Sequence, residues 1–381
     1  PPIDVLFMIL SVVTATSALQ AAGGIDYMVG ISERFLRSHP SRITYYGPLV
    51  TYFFTFLIGT GHIAYSLLPV IAEVARKTGI RPERPLSVSV IASQQAITAS
   101  PISAATVALL SMLSPMGIEL YHIALVSLPS TLIGVLCSAW VMNRWGKDID
   151  IPVEPEGIVE IRETRAHSPK AKGATGLFLL TILCIVLCGA LPSLRPHWNG
   201  ESLKMATILE IFMLTGGAGI LCFCRIEGER VSEQTIFRAG MTAVISIFGI
   251  AWLGDSFFSH HKEMLDALIH GSVSQYPWLF AFALFGFSTL LYSQSATLRA
   301  LLPLGIHLGI PASTLLAMFP AVNGYFVLPN YPTLVAAVQF DTTGTTRIGK
   351  YVLNHSFMLP GLLSTLISVL VGFLLVPLVT P

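Results

Sequence analysis

The sequence is poor in charge. Only 11% of its 381 residues are Asp, Glu, Lys or Arg, under half of the roughly 25% usual in a soluble domain. That argues against an ordinary soluble enzyme. A basic excess is missing as well. The 22 Lys and Arg against 21 Asp and Glu leave a net charge of +1, too little to neutralise a phosphate backbone, so no nucleic-acid partner is expected. Cysteine is scarce. Cys137, Cys184, Cys188, Cys222 and Cys224 all lie in or beside apolar runs and read as small buried hydrophobes, not as a metal site. Neither a His-Glu-x-x-His nor a paired aspartate motif occurs, so an intramembrane enzyme is not expected, and no cofactor is called for. The opening Pro1-Pro2-Ile3-Asp4 lacks Met, a charged n-region and a cleavage site, unlike a signal peptide. We expect a fragment without its true N-terminal helix or helices.

Apolar residues are plentiful: 53% of the chain, with a mean hydropathy of +0.71. Apolar stretches run through roughly 3–22, 43–59, 61–78, 86–113, 117–142, 175–193, 203–224, 237–254, 276–292, 295–309, 312–340 and 351–379. Many reach the roughly 20 residues that span a bilayer as helix. The alternating ten-residue segments of a membrane barrel are absent. The expected fold class is an all-α polytopic membrane protein with the lipid bilayer as its surroundings.

Lys and Arg orient the segments, because they collect on the cytoplasmic side. One cluster is Arg34, Arg37 and Arg42; the next is Arg76, Lys77, Arg81 and Arg84. Between them two apolar arms meet at Gly59-Thr60-Gly61-His62, which reads as a re-entrant hairpin. Segments 86–113 and 117–142 then cross and return to a charged linker, 143–174, expected to be cytoplasmic. Segments 175–193 and 203–224 repeat the excursion, and 237–254 exits to 255–275. A second hairpin, 276–309, dips in from the outer face. Segment 312–340 returns to Arg347 and Lys350, and 351–379 places the C-terminus in the periplasm.

The halves share an order of elements. Asp26 and Asp255, Pro48 and Pro277, and Pro82 and Pro311 are all offset by 229. Each half reads as helix, amphipathic stretch, hairpin, broken helix, helix, entered from opposite faces. The expected division is a first inverted repeat at 1–142, the linker at 143–174 and a second inverted repeat at 175–381. Inverted repeats with discontinuous helices are a signature of secondary transporters.

Broken backbone is tolerated at membrane depth only when buried in protein or lining a cavity. Four polar breaks stand out: Gly59 to His62, Ser93-Gln94-Gln95 through Ser100-Pro101, Ser293-Gln294-Ser295, and Leu328-Pro329-Asn330-Tyr331-Pro332. Ser100 is expected to cap a new half-helix with Pro101 at its first position, and Pro332 has a similar placement. Helix N-termini carry free N–H groups and partial positive charge, and several at the midplane would form an anion site. The expected binding residues are Thr60, Gly61, His62, Ser93, Gln94, Ser100, Pro101, Ser293, Gln294, Ser295, Asn330 and Pro332. Arg299, close to the second tip, joins them as an intramembrane cation suited to a carboxylate; snorkelling, or pairing with Asp255 or Glu210, is its structural alternative. His62 reads as a satisfied structural histidine, with a proton carrier or a polar contact as the functional alternatives. His260-His261 reads as exposed.

At these residues the sequence resembles the anaerobic C4-dicarboxylate transporter (Dcu) family. The matching stretches are Ile58-Gly59-Thr60-Gly61-His62, Gly79-Ile80-Arg81-Pro82-Glu83-Arg84-Pro85, Ile91-Ala92-Ser93-Gln94 and Ile97-Thr98-Ala99-Ser100-Pro101. Further on come Phe237-Arg238-Ala239-Gly240-Met241, Gly249-Ile250-Ala251-Trp252, Ser293-Gln294, Gln339-Phe340-Asp341, Gly344-Thr345-Thr346 and Asn354-His355-Ser356-Phe357. The resemblance implies a bacterial inner-membrane antiporter taking up fumarate, malate or aspartate against succinate in fumarate respiration. It also implies kinship with the ion-transporter superfamily and a homodimer with a mobile transport domain. Two alternatives are a cation-coupled symporter of another small organic anion and a membrane partner of a sensor kinase.

Overall fold

The computed structural model describes residues 3–144, 169–198, 200–238, 240–241, 244–245, 260 and 276–379. Residues 145–168 of the expected linker lie outside these, as do most of segment 237–254, Asp255, His261 and Lys262. The described residues are almost wholly helical. Five helices are long and apolar enough to cross a membrane, or six if a first pair bent by 69° counts as one span.

That pair is α1 (Ile3–Ala21) and α2 (Gly24–Ser38). Helix α2 is the amphipathic stretch: Ile25, Met28 and Leu36 are buried, while Glu33, Arg34 and Arg37 are not. The first hairpin is α3 (Ile43–Ile58) and α4 (Ala64–Lys77). Its outer arm is tied to α2 by the ion pair of Glu73 with Arg37 at 2.8 Å, and Glu73 also pairs with Lys77 one turn along α4 at 2.8 Å.

The first broken helix is α5 (Glu83–Ala99) followed by α6 (Ala104–Leu113). Here the expected cap is corrected. Ser100 closes α5, and Ser103 opens α6 by accepting the Thr106 N–H at 3.1 Å. Pro101 falls in the turn between them. A serine two residues beyond the proline competes better, because Ser103 Oγ also donates to the Ile97 carbonyl at 2.5 Å and so bridges both half-helices.

Helix α7 (Leu120–Asn143) spans, as do α8 (Pro169–Ala190) and α9 (Met205–Cys224). A two-residue hairpin, β1 (His197–Trp198) and β2 (Glu201–Ser202), joins α8 to α9. Arg195 beside it pairs with Glu119 at 2.8 Å. The short α10 (Gly228–Ser232) follows.

The second hairpin is α11 (Phe280–Leu291) and α12 (Gln294–His307). The second broken helix is α13 (Ala312–Ala317) and α14 (Pro332–Phe340). Its break is longer than the expected 328–332. It runs from Met318 to Tyr331 through two short 3₁₀ turns and centres on Asn323. Pro320 and the Asn323-Gly324 pair, both turn formers, account for the difference. The chain ends in α15 (Met358–Val379), which begins seven residues later than expected.

The intervening loop folds around Asp341. Its carboxylate accepts the Thr343 and Thr346 N–H groups at 2.9 and 2.6 Å and the Thr345 hydroxyl at 2.7 Å. Burial pushes the Asp341 carboxyl up, but these hydrogen bonds outweigh it and hold its pKa below the ordinary value. Thr345 in turn accepts the Glu83 N–H at 3.2 Å, and Ser356 donates to Glu83 at 2.6 Å, pinning the loop to the start of α5.

The helices pack as two groups. Helices α3, α5, α7 and α15 pack successively on one another, with the second hairpin and broken helix against them; α1, α8 and α9 form the other group. Within the second group Gly217 of α9 lets Ala15 of α1 approach closely: a Cβ there would lie 3.1 Å from the Ala15 Cα.

Candidate functional site

Each hairpin turns on a residue of left-handed backbone. Gly59 has φ 76° and ends α3; Tyr292 has φ 50° and ends α11. Each tip then seats on the break of the broken helix in its own half. A Cβ on Gly59 would lie 3.0 Å from Ile102 Cγ1 and 3.2 Å from its carbonyl oxygen. Tyr292 stacks on Tyr331 with 6.3 Å between ring centres. The second arm also satisfies the irregular backbone of the long break. Ser288 accepts the Gly324 N–H at 2.8 Å, and Thr289 donates to the Gly324 carbonyl at 3.1 Å. Without such partners these groups would be costly at this depth.

Both tips and both breaks open on one cavity of about 240 Å³. Of the expected site residues, Thr60, Gly61, His62, Ser293, Gln294, Ser295 and Pro332 line it. Ser293 caps α12, accepting the Ala296 N–H at 3.3 Å, and Pro332 takes the first position of α14. Two helix N-termini therefore open at the wall. Among the described residues the lining contains no Asp, Glu, Lys or Arg. Hydroxyls, the Gln294 amide and the His62 ring are set among aliphatic and aromatic side chains. The tip side of α1 contributes Ile9, Val12, Val13 and Thr16, so the cavity lies where the two helix groups meet.

The remaining expected residues lie elsewhere. Ser93 is buried and its hydroxyl donates to the Val90 carbonyl at 2.8 Å. Ser100 is buried with an unpartnered hydroxyl, and Pro101 is buried beside it. Asn330 is exposed. Gln94 is just behind the wall, 1% exposed. Arg299 is 3% exposed, and among the described residues none of its three guanidinium nitrogens has a hydrogen-bond partner. It neither snorkels to a surface nor pairs with Glu210. His260 is exposed. The cysteines remain free, with Cys188 and Cys224 buried, and among the described residues no cluster suits a metal.

Several lining groups escaped the sequence reading. Tyr65, Tyr292, Tyr331 and Thr333 face the cavity, and an Asn323-centred amide network lies behind it. The signal for Asn323 was present in Pro320 and Asn323-Gly324, turn formers inside what reads as one long apolar segment.

A family model described as anaerobic C4-dicarboxylate membrane transporter matches residues 1–380. This chain belongs to that family. It is 44% identical to the C4-dicarboxylate transporter DcuA of Wolinella succinogenes over 384 residues, 99% of this chain and 89% of the relative. It is 42% identical to DcuA of Escherichia coli strain K12, covering 98% and 88%. The anaerobic C4-dicarboxylate transporter DcuB of Escherichia coli O6:H1 is 38% identical, again over 98% and 88%. Among solved structures, the crystal structure of the Alcanivorax borkumensis YdaH transporter, described as having an unusual topology, superposes with a TM-score of 0.57 at 15% identity. It covers 98% of this chain and 84% of its own, and supports the fold. The Dcu family and these relatives are membrane transporters, not enzymes. The hairpins and broken helices that frame the cavity are thus the framework of a transporter.

Proposed function

We propose that this chain exchanges C4-dicarboxylates across the bacterial inner membrane, fumarate, malate or aspartate entering and succinate leaving. The observation that carries the reading is the cavity itself. Two hairpin tips and two broken-helix breaks converge on a space of about 240 Å³ where hydroxyls, the Gln294 amide and helix N-termini stand among apolar side chains, with no fixed charge among the described lining residues. Such donors suit a small anion. The absence of a fixed cation in the wall favours release as well as capture, as exchange requires.

The proposal extends to movement. The helices bearing the hairpins shift against α1, α8 and α9, exposing the cavity to each side in turn. The two halves, 1–142 and 175–381, act as inverted repeats around it, with the linker in the cytoplasm, the C-terminus in the periplasm and a homodimer holding the stationary helices. Counterflow in proteoliposomes tests the reading. Succinate loaded inside is expected to drive uptake of labelled fumarate or aspartate; no counterflow with any C4 acid overturns it. Uptake that needs a sodium or proton gradient and no counter-substrate would support a symporter instead.

A further inference from the structure

Behind the cavity wall runs a chain of side-chain amides with one direction. Asn323 Nδ2 donates to the Pro320 carbonyl at 3.1 Å and to Gln95 Oε1 at 3.2 Å. A carbonyl only accepts, so the Asn323 amide cannot be turned round. Its Oδ1 therefore faces Gln294, whose Nε2 donates to it at 3.2 Å. The same Nε2 donates to Gln94 Oε1 at 2.8 Å. Gln94 has thus committed its oxygen to the network, and its nitrogen must point the other way.

That nitrogen is the loose end. Gln94 Nε2 is buried, and among the described residues no acceptor meets it with good hydrogen-bond geometry. It lies against Gly61, where an added Cβ would be only 2.6 Å from it, and the Tyr331 hydroxyl is its one weak contact, which leaves the second N–H of the amide unanswered. Gly61 and Tyr331 both line the cavity. A buried amide N–H left unpaired costs roughly 1–3 kcal/mol, a cost that an anion in the cavity would remove.

We propose that Gln94 presents this N–H to a substrate carboxylate through the gap left by Gly61, and that Asn323 is the positioning residue that fixes which end of the amide is presented. The inference rests on the dicarboxylate reading of the cavity. It assigns a specificity role to a residue that touches substrate from behind the wall, and a second role to one that touches none. The orientation makes this position a donor only, so it rewards an anionic oxygen on the substrate.

The test uses the full chain in proteoliposomes, with succinate and monomethyl succinate as competing substrates. Gln94→Leu is expected to raise KM for succinate about tenfold, the worth of one hydrogen bond to a charged group, with little change in kcat. Its preference for succinate over the monoester should narrow. Asn323→Leu is expected to narrow the same preference, and the double variant to be no worse than Gln94→Leu alone, because the two act as one unit. Additive losses, or a Gln94→Leu protein with unchanged KM and preference, overturn the proposal. If the buried variants do not fold, Gly61→Ala decides, because it only pushes the flexible end of Gln94 aside. An unchanged succinate-to-monoester ratio in that variant also overturns it. A wild-type protein that exchanges no C4 acid removes the functional reading first, and this inference with it.

Discussion

Arg299 presents an energetic problem at the scale of a single residue. Its side chain is buried on α12, one helical turn past the cavity-lining Ser295, and its guanidinium has no partner among the described residues. Breaking a buried ion pair costs several kcal/mol because a charge is left uncompensated, and here the charge stands alone from the outset. An incoming dianion is the natural compensation, one turn away, in a cavity whose described lining holds no charge of its own. Arg299→Met is therefore expected to stabilise the substrate-free protein, by an amount on the order of 1–4 kcal/mol. Saturating succinate is expected to raise the melting temperature of the wild type and not that of the variant. Thermal unfolding in detergent with and without succinate checks both. A full succinate shift in the variant would mean that Arg299 serves something other than the substrate.

At the scale of elements, the hairpin tips and breaks carry the site, and their backbone is specific. Gly59 combines φ 76° with close contact to the Ile102 carbonyl. Gly59→Ala is expected to cost about 1–2 kcal/mol, from left-handed backbone strain and displacement of Ile102. Chemical denaturation against Gly117→Ala, where a Cβ meets nothing within 4 Å, separates strain from crowding. Much of this level was legible in the sequence, because Gly-Thr-Gly-His and Ser-Gln-Ser interrupt apolar runs at membrane depth, and few physical reasons exist for that. Hairpin existence and tip position followed directly. The caps did not. Ser100 and Ser103 have equal capping propensity, and only the reach of Ser103 to the Ile97 carbonyl distinguishes them. Nor did Asn323 emerge, because an apolar context hid its turn. Gln95 and Thr98 were passed over for a related reason. Their partners lie more than 200 residues away, and one-dimensional spacing holds no record of such pairing.

For the whole molecule, the arrangement divides at the cavity. Helix α1 packs on α9, and α9 on α8, while the hairpins and broken helices pack among themselves and on α7 and α15. If the two groups slide past each other, a link between them should stop transport and a link within one should not. Val12 on α1 and Ala105 on α6 both line the cavity. Cysteines at these positions, in a background without the five native thiols, are expected to arrest counterflow when joined by a bifunctional thiol reagent. Cysteines at Thr181 and Gly216, already in contact between α8 and α9, should join without loss of exchange. Arrest by the second pair, or free exchange by the first, would contradict the sliding of one group on the other.

The Pro320 carbonyl gives the amide chain its heading, and a peptide carbonyl belongs to the backbone. No side-chain replacement at position 320 deletes it. The heading is therefore heritable in an unusual sense: mutation can sever the line at Gln294, Asn323 or Gln94, but a single substitution has little means of reversing it. Drift among the lining hydroxyls and aromatics can tune the size and shape of what is carried. Changing the sign of what the site welcomes would require the line to be rebuilt.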